Sequence, residues 1–338
     1  MKRPMISRIE IDKHGRVCLQ FHNREPWCDI SHFPPRELNP REDSRIPLAE
    51  VARRRRLDIL GYRPARRLVA AGRLDGVAAV WKGYRRGKGS RHARNYALAA
   101  SALQGGAVRT PAILEVDHGA DCVVMRREAG LRPTVAEANA EDFRRMGSGT
   151  RQLQTFRGDL GALGGFGRSD ELAVLQERVR RLTMAGGAAP EDWPRLESSL
   201  ADAAAGPPAA EPVLAHRDLH DGQWLVHEGR PCLLDFDLLC LAEPELDAAN
   251  FLAHLELRRL QHPDAISERD SAACGEAFLD GLGFGRSSGQ RARLAFYQAT
   301  TFARLALVYQ LRPRWQGLVS ALVGLGWARL GDLAGGVE

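Results

Sequence analysis

The 338-residue chain has no apolar run long enough to cross a bilayer, so no membrane span is expected. Its first residues, Met1-Lys2-Arg3-Pro4-Met5-Ile6, lead into charged positions and lack the apolar core of a secretion signal. Six cysteines (Cys18, Cys28, Cys122, Cys232, Cys240 and Cys274) are scattered, with no Cys-x-x-Cys pair. That spacing argues against a zinc site or a disulfide framework and fits a reducing, cytoplasmic setting. Aromatics are few, and the six Trp and five Tyr are not interleaved with basic residues. A single-strand nucleic-acid surface wants such interleaving, so no nucleic-acid partner is expected. Acidic residues are scarce early on. Residues 1–130 hold 14 Asp+Glu against 26 Lys+Arg, whereas 131–338 hold 28 against 22. A basic first part suits an anionic partner, with nucleic acid one candidate and ATP another. The run Arg53-Arg54-Arg55-Arg56 reads as a solvated helix face.

The chain is organised around Val213 to Asp237. Three short apolar runs, Val213 to Ala215, Trp224 to His227 and Cys232 to Leu234, read as strands, with Glu228-Gly229-Arg230 as a turn. Polar groups gather at the ends of this unit: His216, Asp218, Gln223 five residues later, and Asp235 seventeen residues after Asp218. A loop Asp placed by flanking strands can take a proton from a hydroxyl. An amide oxygen near a carboxylate makes an all-oxygen site, which suits Mg²⁺.

The spacing resembles two related patterns. Protein kinases carry H-R-D-L-x-x-x-N followed by D-F-G. Aminoglycoside phosphotransferases and choline kinases carry H-G-D-x-H-x-x-N and then a strand ending in I-D-x-[DE]. Here the residues are His216-Arg217-Asp218-Leu219-His220-Asp221-Gly222-Gln223 and Leu234-Asp235-Phe236-Asp237. His220 and Asp-Phe-Asp look like the small-molecule branch. So does Glu243-Pro244-Glu245-Leu246-Asp247-Ala248-Ala249-Asn250, which is similar to that family's P-x-x-D-x-A helix start. The resemblance covers about residues 57–330. It implies an α+β, protein-kinase-like two-lobed fold with a β-rich N-lobe and a helical C-lobe. It also implies ATP (GTP is possible) and Mg²⁺ as cofactors. Asp218 becomes the catalytic base, within the His216-Arg217-Asp218 catalytic segment. Asp235 becomes a metal ligand, joined by Gln223 (where the family has Asn) and by Asp237. Gln keeps the amide oxygen but adds a methylene.

Taken in order, residues 5–21 read as an extra β-hairpin and 22–46 as an irregular, proline-bearing connection with Pro34, Pro35 and Pro40. The expected division is 1–46 for this segment, 47–128 for the nucleotide lobe and 129–338 for the helical lobe. Pro47 opens a short helix to about Arg55, with Ser44 a possible N-cap. Leu57 to Ala71 and Val77 to Tyr84 read as strands, and Lys82 resembles the kinase Lys that meets the nucleotide phosphates. No Gly-rich loop precedes it. Gly61-Tyr62-Arg63-Pro64-Ala65-Arg66-Arg67 stands there instead, and Arg66 and Arg67 either supply charge to phosphates or face solvent. The helix from about Arg91 to Leu103 has no acidic residue to pair with Lys82. Ala112 to Val116 and Cys122 to Arg126 read as strands around Gly119. The stretch Met125-Arg126-Arg127 looks like the hinge whose backbone meets adenine. Helices are expected at 135–146, 147–156, 193–204, 247–259, 268–281, 290–311 and 315–330. The Gly-rich 158–167 follows no strand and reads as a turn; 185–190 and 203–212 read as breakers.

Aminoglycoside enzymes line the acceptor site with acid. Here Arg258, Arg259, Arg304, Arg312 and Arg314 are the candidates, beside Glu256 and Asp264. They favour a neutral or anionic hydroxyl compound over a polycation. Two other readings stay open: a catalytically weak kinase-fold binding or scaffold protein, and a Ser/Thr protein kinase.

Overall fold

The computed structural model describes residues 6–21, 27–31, 36–137, 139–161, 163–206, 209–285 and 287–334. Met5, Pro34, Pro35, Ala162, Pro207 and Pro208, which fall in segments read above, lie outside them. The first part is β-rich and the second mostly helical, a kinase-like α+β fold.

Strands β1 (Ile6–Ile11) and β2 (Val17–Phe21) form the expected antiparallel hairpin. It does not stand alone. Strands β3 (Trp27–Asp29) and β4 (Arg36–Leu38) extend it to a four-stranded meander, where the sequence suggested an irregular connection. Trp27 is buried and its indole N–H donates to the Tyr62 carbonyl at 3.0 Å. On the other side the Ile9 N–H donates to the Leu311 carbonyl at 3.1 Å. The meander therefore touches both lobes.

Helix α1 (Leu48–Arg54) starts at Pro47 without a side-chain cap, so Ser44 does not play that part. Its Arg53 and Arg54 are solvated, as expected. The five-stranded sheet of the first part has the order β5 (Asp58–Arg63), β6 (Arg67–Leu74), β7 (Val77–Tyr84), β9 (Cys122–Arg126), β8 (Ile113–Asp117), all antiparallel. The expected 57–71 strand is thus two strands. A turn at 64–66, with Ala65 at φ 59°, splits them. Period-two alternation in β7 turns Ala79, Trp81 and Gly83 towards α1 and turns Lys82 and Tyr84 towards the interlobe cleft. Leu48 packs where a Cβ on Gly83 would stand, so only glycine lets α1 lie this close. Helix α2 (Gly89–Ala102) packs on β8 and β9 beside the cleft.

In the second part, α3 (Ala140–Gln154) is one helix where two were expected, its Gly147 and Gly149 buried against α7 (Glu268–Leu282) and Val108. A helix absent from the sequence reading, α4 (Arg168–Met184), follows the Gly-rich turn. Helix α5 (Trp193–Ala204) has the bounds expected. Strands β11 (Trp224–His227) and β12 (Arg230–Leu233) form a hairpin. The strand β10 (Val213–Ala215) pairs with β13 (Cys240–Ala242) instead. Helices α6 (Glu245–Gln261) and α8 (Ser288–Tyr309) cross through the core, and α9 (Val319–Ala334) covers α8 after a 3₁₀ turn at Pro313–Leu318. Among the described residues no helix is long and apolar enough to cross a membrane, and all six cysteines are free.

Trp27 is the anchor of the meander. Trp27→Ala is expected to cost about 3–5 kcal/mol, the usual loss for a buried Trp. Urea unfolding checks this, and limited proteolysis should then cut first within residues 6–38.

Candidate active site

The loop after β10, residues 216–223, is held by polar side chains placed on α6. The Asp247 carboxylate, fully buried in the first turn of α6, accepts the backbone N–H groups of His216 and Arg217, each at 2.7 Å. Burial pushes the Asp247 carboxyl above its ordinary range, against the pull of His216 and these two donors. Arg217 adopts φ 69°. One turn along, Asn250 donates to the Arg217 carbonyl at 3.3 Å and accepts from Arg304 at 2.6 Å. The loop backbone is thereby fixed before any ligand arrives.

His216 links the loop to the next strand. Its Nδ1 accepts the Asp218 N–H at 3.3 Å and its Nε2 lies 2.8 Å from the Leu234 carbonyl, so Nε2 carries the proton. Asp218 is half-buried, and the Gln223 side-chain amide donates to it at 3.4 Å. A carboxylate can only accept, so the Gln223 nitrogen faces Asp218 and its oxygen is left for another partner. His220 does not reach Asp218. Its ring stacks on His254 at 4.5 Å and its Nδ1 accepts the Gly222 N–H. Asp221 takes two hydrogen bonds from Arg258, at 2.8 and 3.2 Å. Burial alone would raise the Asp221 carboxyl, but His220 and Arg258 outweigh it and hold the group well below its usual range.

Beyond Leu233 the chain turns through Asp235 in the left-handed region (φ 62°, ψ 67°) into a 3₁₀ turn at Phe236–Leu238. Phe236 is buried and both acids point to the sheet. Lys82 Nζ lies 2.6 Å from Asp235, 2.9 Å from Asp237 and 3.0 Å from the Tyr96 hydroxyl. Arg67 bridges the same acids, at 3.2 Å to Asp235 and 2.9 Å to Asp237. The Tyr84 hydroxyl donates to Asp237 at 2.7 Å, and Asn95 donates to the Phe236 carbonyl at 3.1 Å. Helix α2 indeed offers Lys82 no acid. Tyr96 of that helix and the two acids after β12 complete the contact instead. Burial would lower the Lys82 pKa, but Tyr96, Asp235 and Asp237 raise it above its usual value. Asp235 is shifted the other way. Its burial penalty is overcome by Lys82 and Arg67, which keep it ionised well below the ordinary carboxylate range.

The turn that stands in for a Gly-rich loop is held by Asp43. This carboxylate accepts from the Ala65 N–H at 2.7 Å, the Tyr62 hydroxyl at 2.8 Å and Arg45 at 2.7 Å. Arg66 is exposed and lines the open cleft beside α4, while Arg67 turns inward to the acids. At the hinge, Met125 is buried in the core. The N–H groups of Arg126 and Arg127 donate to the carbonyls of Ala112 and Ala78. Those two backbone donors are therefore engaged within the sheet.

The sequence-predicted acceptor arginines gather only in part. Arg258 is bound to Asp221 and Arg259 to Glu256. Arg258, Arg312 and Arg314 line one groove with Arg8 and Tyr309. Arg304 approaches the loop after β10 through Asn250, and Arg258 reaches it at Asp221. Sequence reasoning also missed Asp43, Tyr84 and Tyr96. Tyr84 had a signal, since it lies two residues after Lys82 on one strand and so shares its face.

Comparison with known proteins now decides the family. The family described as phosphotransferase enzyme family, APH, matches residues 37–297. The chain belongs to that family. It is a phosphotransferase with a hydroxyl acceptor. Solved structures with the same fold include an amicoumacin kinase in complex with AMP-PNP, Ca²⁺ and amicoumacin. It is 14% identical, with 85% of this chain and 94% of that one covered and a TM-score of 0.61. A choline/ethanolamine kinase family protein from Mesorhizobium loti is 16% identical over 83% of this chain and 88% of its own, with a TM-score of 0.55. Choline kinase from Streptococcus pneumoniae is 15% identical over 84% and 97%, with a TM-score of 0.54. No curated protein matches the sequence.

The direction of the Asp235 shift sets a pH dependence. A carboxyl depressed in the folded state adds stability above its unfolded pKa and loses it as pH falls through the folded one. The melting-temperature gap between wild type and Asp235→Asn is expected to be largest near neutrality and to narrow progressively as pH falls below about 4. Thermal melts across that range check it, and a gap independent of pH would contradict the ion cluster.

Proposed function

We propose that this phosphotransferase moves the γ-phosphoryl group of ATP, or of GTP, to a hydroxyl of a neutral or anionic small molecule. The observation that carries the reading is the His216 bridge. One imidazole binds both the Asp218 backbone and the strand end before Asp235, and so holds a base and a cation-binding acid in one register.

In this reading Asp218 accepts the proton of the acceptor hydroxyl. The hydroxyl oxygen forms the new bond to the γ-phosphorus, the bond from that phosphorus to the β–γ bridging oxygen breaks, and ADP leaves. Lys82 supplies positive charge to the phosphates, and Arg66 and Arg67 stand at the turn above them. Met125 and Arg127 mark the hinge on the adenine side. The rate advantage comes from positioning and electrostatics.

The donor set fits a hard divalent cation such as Mg²⁺. Asp235 and Asp237 are carboxylates, and Gln223 has its amide oxygen free of Asp218. Asp235, with Gln223 and Asp237, would hold it. When bound, such a cation neutralises charge on the β- and γ-phosphates. Arg67 now neutralises the same two acids and would have to give them up. That competition is what favours the second reading, a binding protein with weak or no turnover.

Asp218→Ala is expected to lower turnover by ~10²–10⁴ while leaving nucleotide binding intact. ADP release in steady state, together with calorimetric nucleotide binding, checks it. Unchanged turnover removes Asp218 from the mechanism. Thermal stabilisation by ATP or GTP that requires Mg²⁺ and is lost in Asp235→Ala supports the nucleotide site. Stabilisation of wild type by neither nucleotide would favour the second reading.

A further inference from the structure

We infer that the acceptor carries a carboxylate or a phosphate besides its hydroxyl, and that Arg178 on α4 receives that anion together with Arg217. The inference builds on the phosphotransfer reading and names the substrate class for the same site.

Beside the catalytic loop lies a cleft of about 550 Å³, within the ordinary range for small-molecule sites. Arg217, the residue next to Asp218, forms one wall. Helix α4 forms another with Arg178, the turn after β5 brings Arg66, and β1 of the meander brings Glu10. Cations and acids both line the cleft, so their pairing decides its character. Glu10 is bound to Arg8. Glu177 is bound to Arg180 and Arg181 at 2.7–2.9 Å. Asp170 accepts the Gly167 N–H at 2.8 Å and so caps α4. Glu10 and Glu177 are thus paired with arginines, whereas Asp170 holds only a backbone N–H.

Among the described residues none of the guanidinium groups of Arg66, Arg178 and Arg217 has a side-chain hydrogen bond or an ion pair. The Arg217 guanidinium carbon lies over the Phe166 ring, 3.5 Å from its centroid. Stacking uses the face of the guanidinium and leaves its N–H edge free for two parallel hydrogen bonds to an oxyanion. Arg178 is exposed to open space in the cleft, with Arg304 among the cations acting on it. Unpaired cations gathered in a concave wall repel one another and concentrate anions. A polycation would meet that repulsion with only Asp170, among the lining acids, lacking an arginine partner. A neutral polyol would leave the guanidinium groups unpaired. An anionic group resolves both. Arg217 adjoins Asp218 in the chain, so the cleft opens beside the loop that carries the base.

The test uses pairs of probes that differ in the anionic group: gluconate and sorbitol, glycerate and glycerol, glucose 6-phosphate and glucose. Binding is measured by calorimetry and turnover by ADP release, on wild type, Arg178→Gln and Arg178→Lys. The anionic member should bind about tenfold or more tightly than its neutral partner, the effect of one charge-assisted contact. Arg178→Gln should remove that preference, and Arg178→Lys should keep most of it. Gluconate against glucose 6-phosphate tells a carboxylate from a phosphate. Equal binding within every pair, no binding of any anionic probe at millimolar concentration, or a preference untouched by Arg178→Gln would each overturn the inference. Nucleotide binding is measured in the same proteins. Loss of Mg²⁺-dependent ATP binding in wild type would sink the phosphotransfer reading itself, whereas intact ATP binding with no anion preference would sink only the acceptor class.

Discussion

Lys82 is only 5% exposed, and an ammonium so placed costs several kcal/mol in lost hydration unless anions meet it. Here two carboxylates and a tyrosine hydroxyl do. Asp235 and Asp237 come from the helical part of the chain, Lys82 and Arg67 from the β-sheet, and Tyr96 and Asn95 from the helix between them. The cluster is therefore the electrostatic joint of the two lobes. Removing one partner leaves the others buried and uncompensated, which typically costs 3–5 kcal/mol, about a third or more of a domain's net stability. The left-handed turn at Asp235 belongs to the same account. A non-glycine residue there is uncommon, and the surrounding contacts of Phe236, Asn95 and Lys82 hold it in place.

The same joint constrains chemistry. A kinase lysine normally has a helix carboxylate of its own. Without one, Lys82 shares the acids that a metal would need, and Arg67 sits across both. In the proposed reading Asp235 and Asp237 would hold a cation, and Lys82 and Arg67 would then be free to meet phosphate oxygens.

The stretch from Val213 to Asp237 was legible as strand, loop and hairpin because its spacing is set by local backbone, which leaves little freedom between Asp218, Gln223 and Asp235. The rest depended on pairings that are long in sequence. Asp43 looks like any loop acid until the chain returns 19 residues later with Tyr62. Strands β3 and β4 are three residues each and carry too little pattern to announce themselves. Helix α4 did have a signal, since Leu172, Leu175, Val179 and Leu182 recur at three and four spacing, but the charges between them hid it. Overlooking α4 meant overlooking Arg178. The acceptor arginines were then sought on the last helices, where Arg258 and Arg259 turn out to be paired. Charge counts in sequence do not distinguish a committed arginine from a free one.

Asp218 thus stands between two unlike electrostatic environments. On one side acids and cations are matched almost one to one. On the other, arginines exceed the acids left to pair with them. Transfer to an anionic acceptor brings two negative groups together, and for unit charges roughly 6 Å apart at an effective dielectric of 20 the repulsion is about 3 kcal/mol. One unpaired guanidinium at a similar distance from the acceptor anion cancels a term of that size. An arginine already bound to a carboxylate cannot, because its field is neutralised by its partner. The unpaired state of Arg178 and Arg217 is therefore a feature that an anionic acceptor uses and a neutral one does not need.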